Sequence, residues 1–500
     1  MLPLASTTAR SPRPATLPLP ASHPPRALSA SPALLAIVLL AAAVIAPSEA
    51  AAQDYYTDVR PLLVERCVGC HTADGIAWSM DDPEAARARA REIAGMVTTR
   101  RMPPWIAEPG HQSYVGDLSL DPELVGMVAA WREAGFPVGD ARPDPARPAS
   151  AGPAHAAFDQ DLSVELMPGD SYLPDQSADD EYRCFVVEWP GPERGYVTGF
   201  RAVPGNLNVA HHVVVHAVEP EMVDRFRELD RAEEGLGYRC FGGALPDRLG
   251  RSADRDAYEA RYPDGVRELS RGSWWLAHWA PGMDGHVFPE GTGIKLEPGS
   301  GLVVQMHYYM GDAAGEADSG SRVDFQFAER VDRPAFHLSQ THNAWLAGER
   351  NKSMVIGPGE TATYEVSDAL GSLLGYVSRI TDVDADRIEA FEVHSANLHM
   401  HAFGKSGVIT LTDDDGRSET LLSVPEWDLH WQRDFTFTEP KVFARDRMDG
   451  SSIRVQCTYH NPTADTIYGG YGSYDEMCFN FSYIALQVGE QATDDRPSRR

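Results

Sequence analysis

The sequence predicts a multidomain chain, a small all-α domain followed by two all-β, jelly-roll-like sandwich domains. Three observations carry that prediction. Its 500 residues exceed the roughly 250 to 300 that one hydrophobic core sustains, so two or three folded units are expected. Helical spacing of apolar residues is confined to residues 54–138, whereas short β-rich runs broken by Gly, Pro and Asp turns fill the chain beyond residue 158. Between them, residues 139–157 are mostly Ala, Pro, Arg and Asp, a composition that cannot bury a core and serves as a linker. With 43% apolar and 23% charged residues the balance is that of an ordinary globular protein. A formal net charge of -29 repels nucleic acid and anionic membrane surfaces, so neither is an expected partner.

Ala33 to Ala46 (ALLAIVLLAAAVIA) form an apolar run too short to span a bilayer, preceded by Arg10, Arg13 and Arg26. Small residues at Ser48 and Ala50 fit cleavage before Ala51. Residues 1–50 are therefore expected to be a signal peptide, leaving no stable membrane span and sending the chain to the periplasm or out of the cell. Within 54–138, Asp121-Pro122-Glu123 opens a helix, Leu124, Val128 and Trp131 recur at helical spacing, and Gly135 ends it. Earlier in this block stands Cys67-Val68-Gly69-Cys70-His71. That spacing lets two thiols form thioethers to a haem while the adjacent histidine becomes an axial iron ligand. Met80, Met96, Met102 and Met127 compete for the sixth position. Met102 is the choice, because Pro103 and Pro104 stiffen the loop that would hold its thioether over the haem. The block resembles a class I cytochrome c, which implies one covalently bound haem c held by Cys67, Cys70, His71 and Met102.

Beyond the linker, β-rich runs include Val213 to Val215, Gly301 to Tyr309, Val408 to Leu411 and Ser452 to Tyr459, with one helix expected near Pro220 to Glu233. This is too much for one sandwich, so residues 158–330 and 331–488 are read as two, followed by a tail at 489–500. With Cys67 and Cys70 assigned to haem, Cys184, Cys240, Cys457 and Cys478 remain, an even number in an exported chain, which argues for two disulfides. Three pairings are possible; pairing within each sandwich joins Cys184 to Cys240 and Cys457 to Cys478.

His399-Met400-His401 places two imidazoles at i and i+2, on one face of a strand, where they can share a metal. His211 and His212 are adjacent and point to opposite faces of a regular strand, so one ion can take both only at a strand end or a bulge. His307 lies on a β-rich run of the same sandwich. Asp413-Asp414-Asp415 before Gly416 reads as a hairpin turn and not as a calcium site.

His211-His212, Gln305-Met306-His307, His399-Met400-His401 with Gly404-Lys405, and Asp475-Glu476-Met477-Cys478 occur in the order and spacing of the copper type II, ascorbate-dependent monooxygenases. The resemblance covers about residues 158 to 488. It implies two copper ions, one held by His211, His212 and His307 and one by His399, His401 and Met477. The soft thioether of Met477 favours the cuprous ion that meets O2, so that centre is expected to hydroxylate a substrate C–H bond while the three-histidine copper supplies an electron. The same resemblance implies the Cys457 to Cys478 pairing and places Gln305 near the three-histidine copper, where it would order water or substrate.

The peptide-amidating member of that family holds its substrate's carboxylate with an arginine and a tyrosine, and here Asn397 and Phe481 stand at those positions. Recognition of a C-terminal carboxylate is therefore not expected, and Phe481 suits a more apolar substrate. The expected partners are a small organic substrate, O2, and an external electron donor such as ascorbate or another redox protein, with the haem feeding electrons inward. The rival classes are a non-catalytic haem and copper electron-transfer or copper-binding protein, and a haem-based redox or O2 sensor.

Overall fold

The computed structural model describes residues 53–489 except 73–77, 146–157, 192–194, 241–242, 247–259, 262–263, 281–282, 284, 312, 343, 346–351, 471 and 473. The expected signal peptide, most of the expected linker and nearly all of the expected tail lie outside the described residues.

Residues 55–133 contain a π-helical turn, Tyr55–Val59, and the α-helices Arg60–Arg66, Pro83–Ala88, Ala90–Thr98 and Pro122–Glu133. The last has Asp121 at its N-cap and Pro122 in its first turn, and its chain exits through Gly135 at φ 81°, a left-handed turn glycine adopts without strain. These helices share a core around Tyr55, Leu63, Ile93, Val97, Val128 and Trp131. Met80 is the methionine buried in it, while Met96 and Met127 are only partly buried.

The rest is sheet. One path of paired strands runs Leu162–Glu165, Arg322–Ala328, Gly195–Val203, Thr292–Leu296, Arg333–Gln340, Phe479–Val488, Ile388–His399 and Phe435–Ala444. A parallel pairing of Arg333 with Thr292 and Pro334 with Gly293 makes it continuous, so the sheet crosses the joint anticipated near residue 330. Against its first half lies a five-stranded sheet ordered Tyr238–Arg239, Asp180–Glu188, Gly301–Tyr309, Ala210–Val218, Ser273–Trp279. Against its second half lies a four-stranded sheet ordered Thr361–Ala369, Ser452–His460, Gly404–Thr412, Ser418–Val424. Phe200, Phe325, Val213, Val215 and Val304 of the first half and Phe391, Leu398, Ile484, Ile409, Leu421 and Val455 of the second belong to one continuous hydrophobic core.

Gly301–Tyr309 is buried along almost its whole length because both its faces are covered. Leu302 and Val304 enter the sandwich core, while Val303 packs with Phe226 and Leu229 of the helix Val223–Ala232, which lies where the sequence placed it. Both cysteine pairs are bridged as expected, Cys184 to Cys240 and Cys457 to Cys478. Among the described residues neither Cys67 nor Cys70 is in a disulfide.

The segment after Met102 docks on the second sandwich. Val115 N–H donates to Thr436 O at 2.8 Å, Thr438 N–H to Ser113 O at 2.9 Å, and Glu108 N–H to Ser423 O at 2.8 Å. Trp105, Tyr114 and Phe435 make mutual edge contacts with centroids 5.1 to 5.9 Å apart. At the expected aspartate turn Arg447 and Arg417 pair with Asp413, Asp414 and Asp415, whose carboxylates lie within 4.8 Å of one another.

Candidate metal centre

A β-bulge answers the problem of adjacent histidines. Along the pairing of Gly301–Tyr309 with Ala210–Val218, His307 faces His212 and Tyr308 faces Ala210, which leaves His211 as the extra residue. The irregularity brings both imidazoles to one side with His307. Ring centroids lie 4.3 Å apart for His211 and His212, 4.9 Å for His211 and His307, and 4.6 Å for His212 and His307. Each ring offers a nitrogen, all within 4.8 Å of one another, a spacing that could hold a metal ion. His307 Nε2 bonds the Asp180 carboxylate at 2.9 Å and its ring stacks on Tyr182 at 4.1 Å, which fixes its orientation.

The His-x-His pair sits where strand Ile388–His399 ends, and its rings are 5.2 Å apart, with Met400 pointing into the core. His399 Nδ1 pairs with Gln432 Oε1, and His401 Nδ1 with the Asp475 carbonyl at 3.2 Å. Glu476, which sequence reasoning quoted only as part of a motif, organises this corner. Its buried carboxylate accepts from the amides of His401 at 3.0 Å, Phe403 at 2.6 Å and Met477 at 3.2 Å, tying both arms of the site together. Burial pushes its carboxyl up to about 8 although those amides favour the charged form. Gly404 is required here: a Cβ on it would stand 2.5 Å from Trp427 Cδ1, and Trp427 donates to the His401 carbonyl at 3.0 Å. Tyr459 Oη donates to the Met477 carbonyl at 2.6 Å, and Cys478, joined to Cys457, follows directly.

The two clusters adjoin, with the rings of His212 and His399 5.9 Å apart. Both face one cavity of about 490 Å³, lined also by Gln305, Met477, Asn397, Trp275 and Phe481. Gln305 Nε2 donates to the Gly243 carbonyl at 2.9 Å. Burial lowers the pKa of His211 to about 3 and of His399 to about 4, and holds His212 and His401 well below the usual histidine value, with neighbouring imidazoles adding to the effect. At neutral pH all four are neutral, the form that binds a metal. His211 Nδ1 and His212 Nε2 are enclosed without a hydrogen-bond partner. A soft or borderline ion such as copper fits orphaned, neutral imidazoles beside a thioether.

Histidines with no ligand spacing in the sequence also reach this cavity. His216, His278 and His337 line it; His216 Nε2 and both nitrogens of His337 are buried without a partner. His278 bonds the Asp434 carboxylate at 3.1 Å, and Asn397 donates to the same oxygen at 2.9 Å. No periodicity could reveal them, because they come from separate strands. His394 pairs with Glu392, and His460 with Thr361 at the surface. Asn397 and Phe481 are direct cross-strand neighbours, and Phe481 stacks on Trp275 at 4.6 Å and on Phe479 at 5.3 Å, giving an aromatic wall.

At the other motif, the chain turns at Cys67, with Cys70 and His71 amides donating to the Cys67 carbonyl at 3.1 Å. His71 Nδ1 pairs with the Trp78 carbonyl at 2.9 Å, a contact that orients the ring as the second partner of an axial iron ligand does. Burial pushes the Cys67 thiol up to about 12. Two reduced thiols beside a histidine so oriented fit a covalent haem. Met102 follows the helix Ala90–Thr98, half-buried, its amide donating to the Met96 carbonyl at 3.2 Å.

Residues 380–492 match the copper type II ascorbate-dependent monooxygenase C-terminal domain family. The matched segment contains His399, His401 and Met477, and it supports a copper-dependent monooxygenase, an oxidoreductase. No curated protein matches the chain. Similar solved structures include a putative secreted protein from Parabacteroides distasonis (9% identity, 66% of this chain and 88% of that one, TM-score 0.15). Another is the major capsid protein P2 of bacteriophage PM2 (8% identity, 66% and 99%, TM-score 0.23). Likenesses this low carry no argument. Among the described residues no helix is long and apolar enough to cross a membrane.

Proposed function

We propose that the chain is an exported, copper-dependent monooxygenase that hydroxylates a C–H bond of a small organic substrate with O2, its electrons fed through a fused c-type haem. One observation carries the reading: two clusters of enclosed imidazoles, one with Met477 beside it, meet through His212 and His399 at a single cavity large enough for a substrate. An electron-transfer or copper-storage protein needs no such cavity. In this reading His211, His212 and His307 hold one copper, His399, His401 and Met477 the other, and Cys67, Cys70, His71 and Met102 hold the haem. When bound, copper supplies one-electron chemistry and O2 activation.

The protein's own groups do the rest. Asp180 and Gln432 fix the rings of His307 and His399, Glu476 fixes the distance between His401 and Met477, and the aromatic wall of Trp275, Phe479 and Phe481 excludes water and seats an apolar body. Overall, R–H, O2, two electrons and two protons give R–OH and water. The two disulfides support an oxidising compartment, periplasmic or extracellular. The test is metal and haem analysis of exported protein, then product screening under 18O2. Met477→His should keep copper yet lose labelled product, because the soft donor is gone. Undiminished labelled product in that variant would move the oxygen chemistry elsewhere.

A further inference from the structure

Arg433 is the feature that neither sandwich explains. Its Nε is enclosed and has no hydrogen-bond partner, an arrangement folded proteins rarely leave unanswered. Its guanidinium lies 5.1 Å from the ring centroid of Trp105, three residues after Met102. Desolvation lowers its pKa, and the acidic groups whose charge it feels are Asp434, Cys70 and Asp117. Trp105 belongs to the loop of Met102, the expected sixth haem ligand, so a side chain of the second sandwich meets the loop that carries that ligand. The preceding residue, Gln432, is buried and grips His399 Nδ1. A continuous path therefore runs from the Met102–Trp105 loop, across Arg433, through one peptide unit to Gln432 and into an imidazole of the His-x-His pair.

We propose that Arg433 and Gln432 are the electron entry to the copper at His399, His401 and Met477, Arg433 holding a propionate carboxylate of the haem and Gln432 coupling it to the His399 ring. A guanidinium facing a carboxylate is the pairing that best satisfies an orphaned Nε in a desolvated place. One electron passes at a time: ferrous haem becomes ferric as cupric ion becomes cuprous, and an external one-electron donor restores the haem. Entry is thus at the methionine site, whereas the family resemblance makes the three-histidine copper the electron supplier. The proposal rests on the haem and copper reading above and assigns to it the route and the positioning residues.

The test uses the full chain carrying haem and cupric ions, without O2 or substrate. The haem is reduced by a flash-generated one-electron donor and its reoxidation followed by absorbance, while its midpoint potential is measured separately. Arg433→Gln and Arg433→Leu should lower the haem potential, because a cation beside a propionate favours the ferrous state, and should slow reoxidation by about tenfold or more. Arg433→Lys should restore most of the potential but not the rate, and serves if the Leu variant does not fold. His399→Ala should abolish the reoxidation phase. Wild-type potential and rate in all Arg433 variants would overturn the proposal. So would a phase that persists in His399→Ala and vanishes in His212→Ala, which would leave the haem and copper reading standing. Absence of covalent haem or of copper in the wild-type protein would bring down both.

Discussion

Removing the Glu476 carboxylate is the most direct way to ask whether the methionine corner is a built site. Three backbone amides, of His401, Phe403 and Met477, donate to it inside a region where Glu476 itself is fully buried. In Glu476→Ala each amide loses its acceptor, and a buried donor left alone costs about 1 to 3 kcal/mol. Entry of water offsets part of this, so the copper-free chain should lose about 3 kcal/mol or more of unfolding free energy. The same carboxylate spans the turn that carries His401 and the residue before Met477, so copper affinity at that site should fall by about 10- to 100-fold. Glu476→Gln keeps one acceptor but turns an NH2 group towards the amides, and should fall between the two. Urea unfolding of metal-free protein and competitive cuprous titration read the two effects separately. If Glu476→Ala kept wild-type stability and bound two coppers with unchanged affinity, the idea that this carboxylate positions both arms would be refuted.

Three further outcomes are expected. Replacing Cys457 and Cys478 by Ser opens a bridge spanning 21 residues, which by loop-closure entropy should cost about 3 kcal/mol in denaturant unfolding, together with weaker copper binding at Met477. His216 and His337 are held by burial near 4 and 3 against an ordinary value of 6.5, so the unfolded chain takes up protons first as the medium is acidified. Their contribution to stability is complete at pH 7 and is lost as pH falls below 6.5; at pH 5 each should cost about 2 kcal/mol, and His337→Phe should flatten that dependence in urea midpoints measured at both pH values. Met102→Ala should abolish the near-infrared methionine-to-iron charge-transfer band and lower the haem potential, whereas Met80→Ala should instead destabilise the helical core and leave the band in place.

The sequence alone separated a helical block from a β-rich remainder and marked an even set of cysteines for bridging, because the periods of helix and strand and the cysteine count are patterns that chain chemistry constrains directly. It also placed His399 beside His401, since residues two apart stay close in an extended chain, although the strand itself ends at His399. That His211 and His212 can act together needed a bulge, which the sequence stated as a condition and only the register of strand Ala210–Val218 against Gly301–Tyr309 supplied. Tertiary structure alone decided the rest. The continuity of one sheet across both sandwiches, the approach of His212 to His399 and the gathering of His216, His278 and His337 around one cavity join residues from well-separated strands. So does the contact of Arg433 with Trp105. Such contacts leave no periodic trace, because a single imidazole or guanidinium on a strand has the same local pattern whether it faces solvent, a core or a metal. The physical difference lies in desolvation and in which partners close around it, and these exist only once the chain has folded.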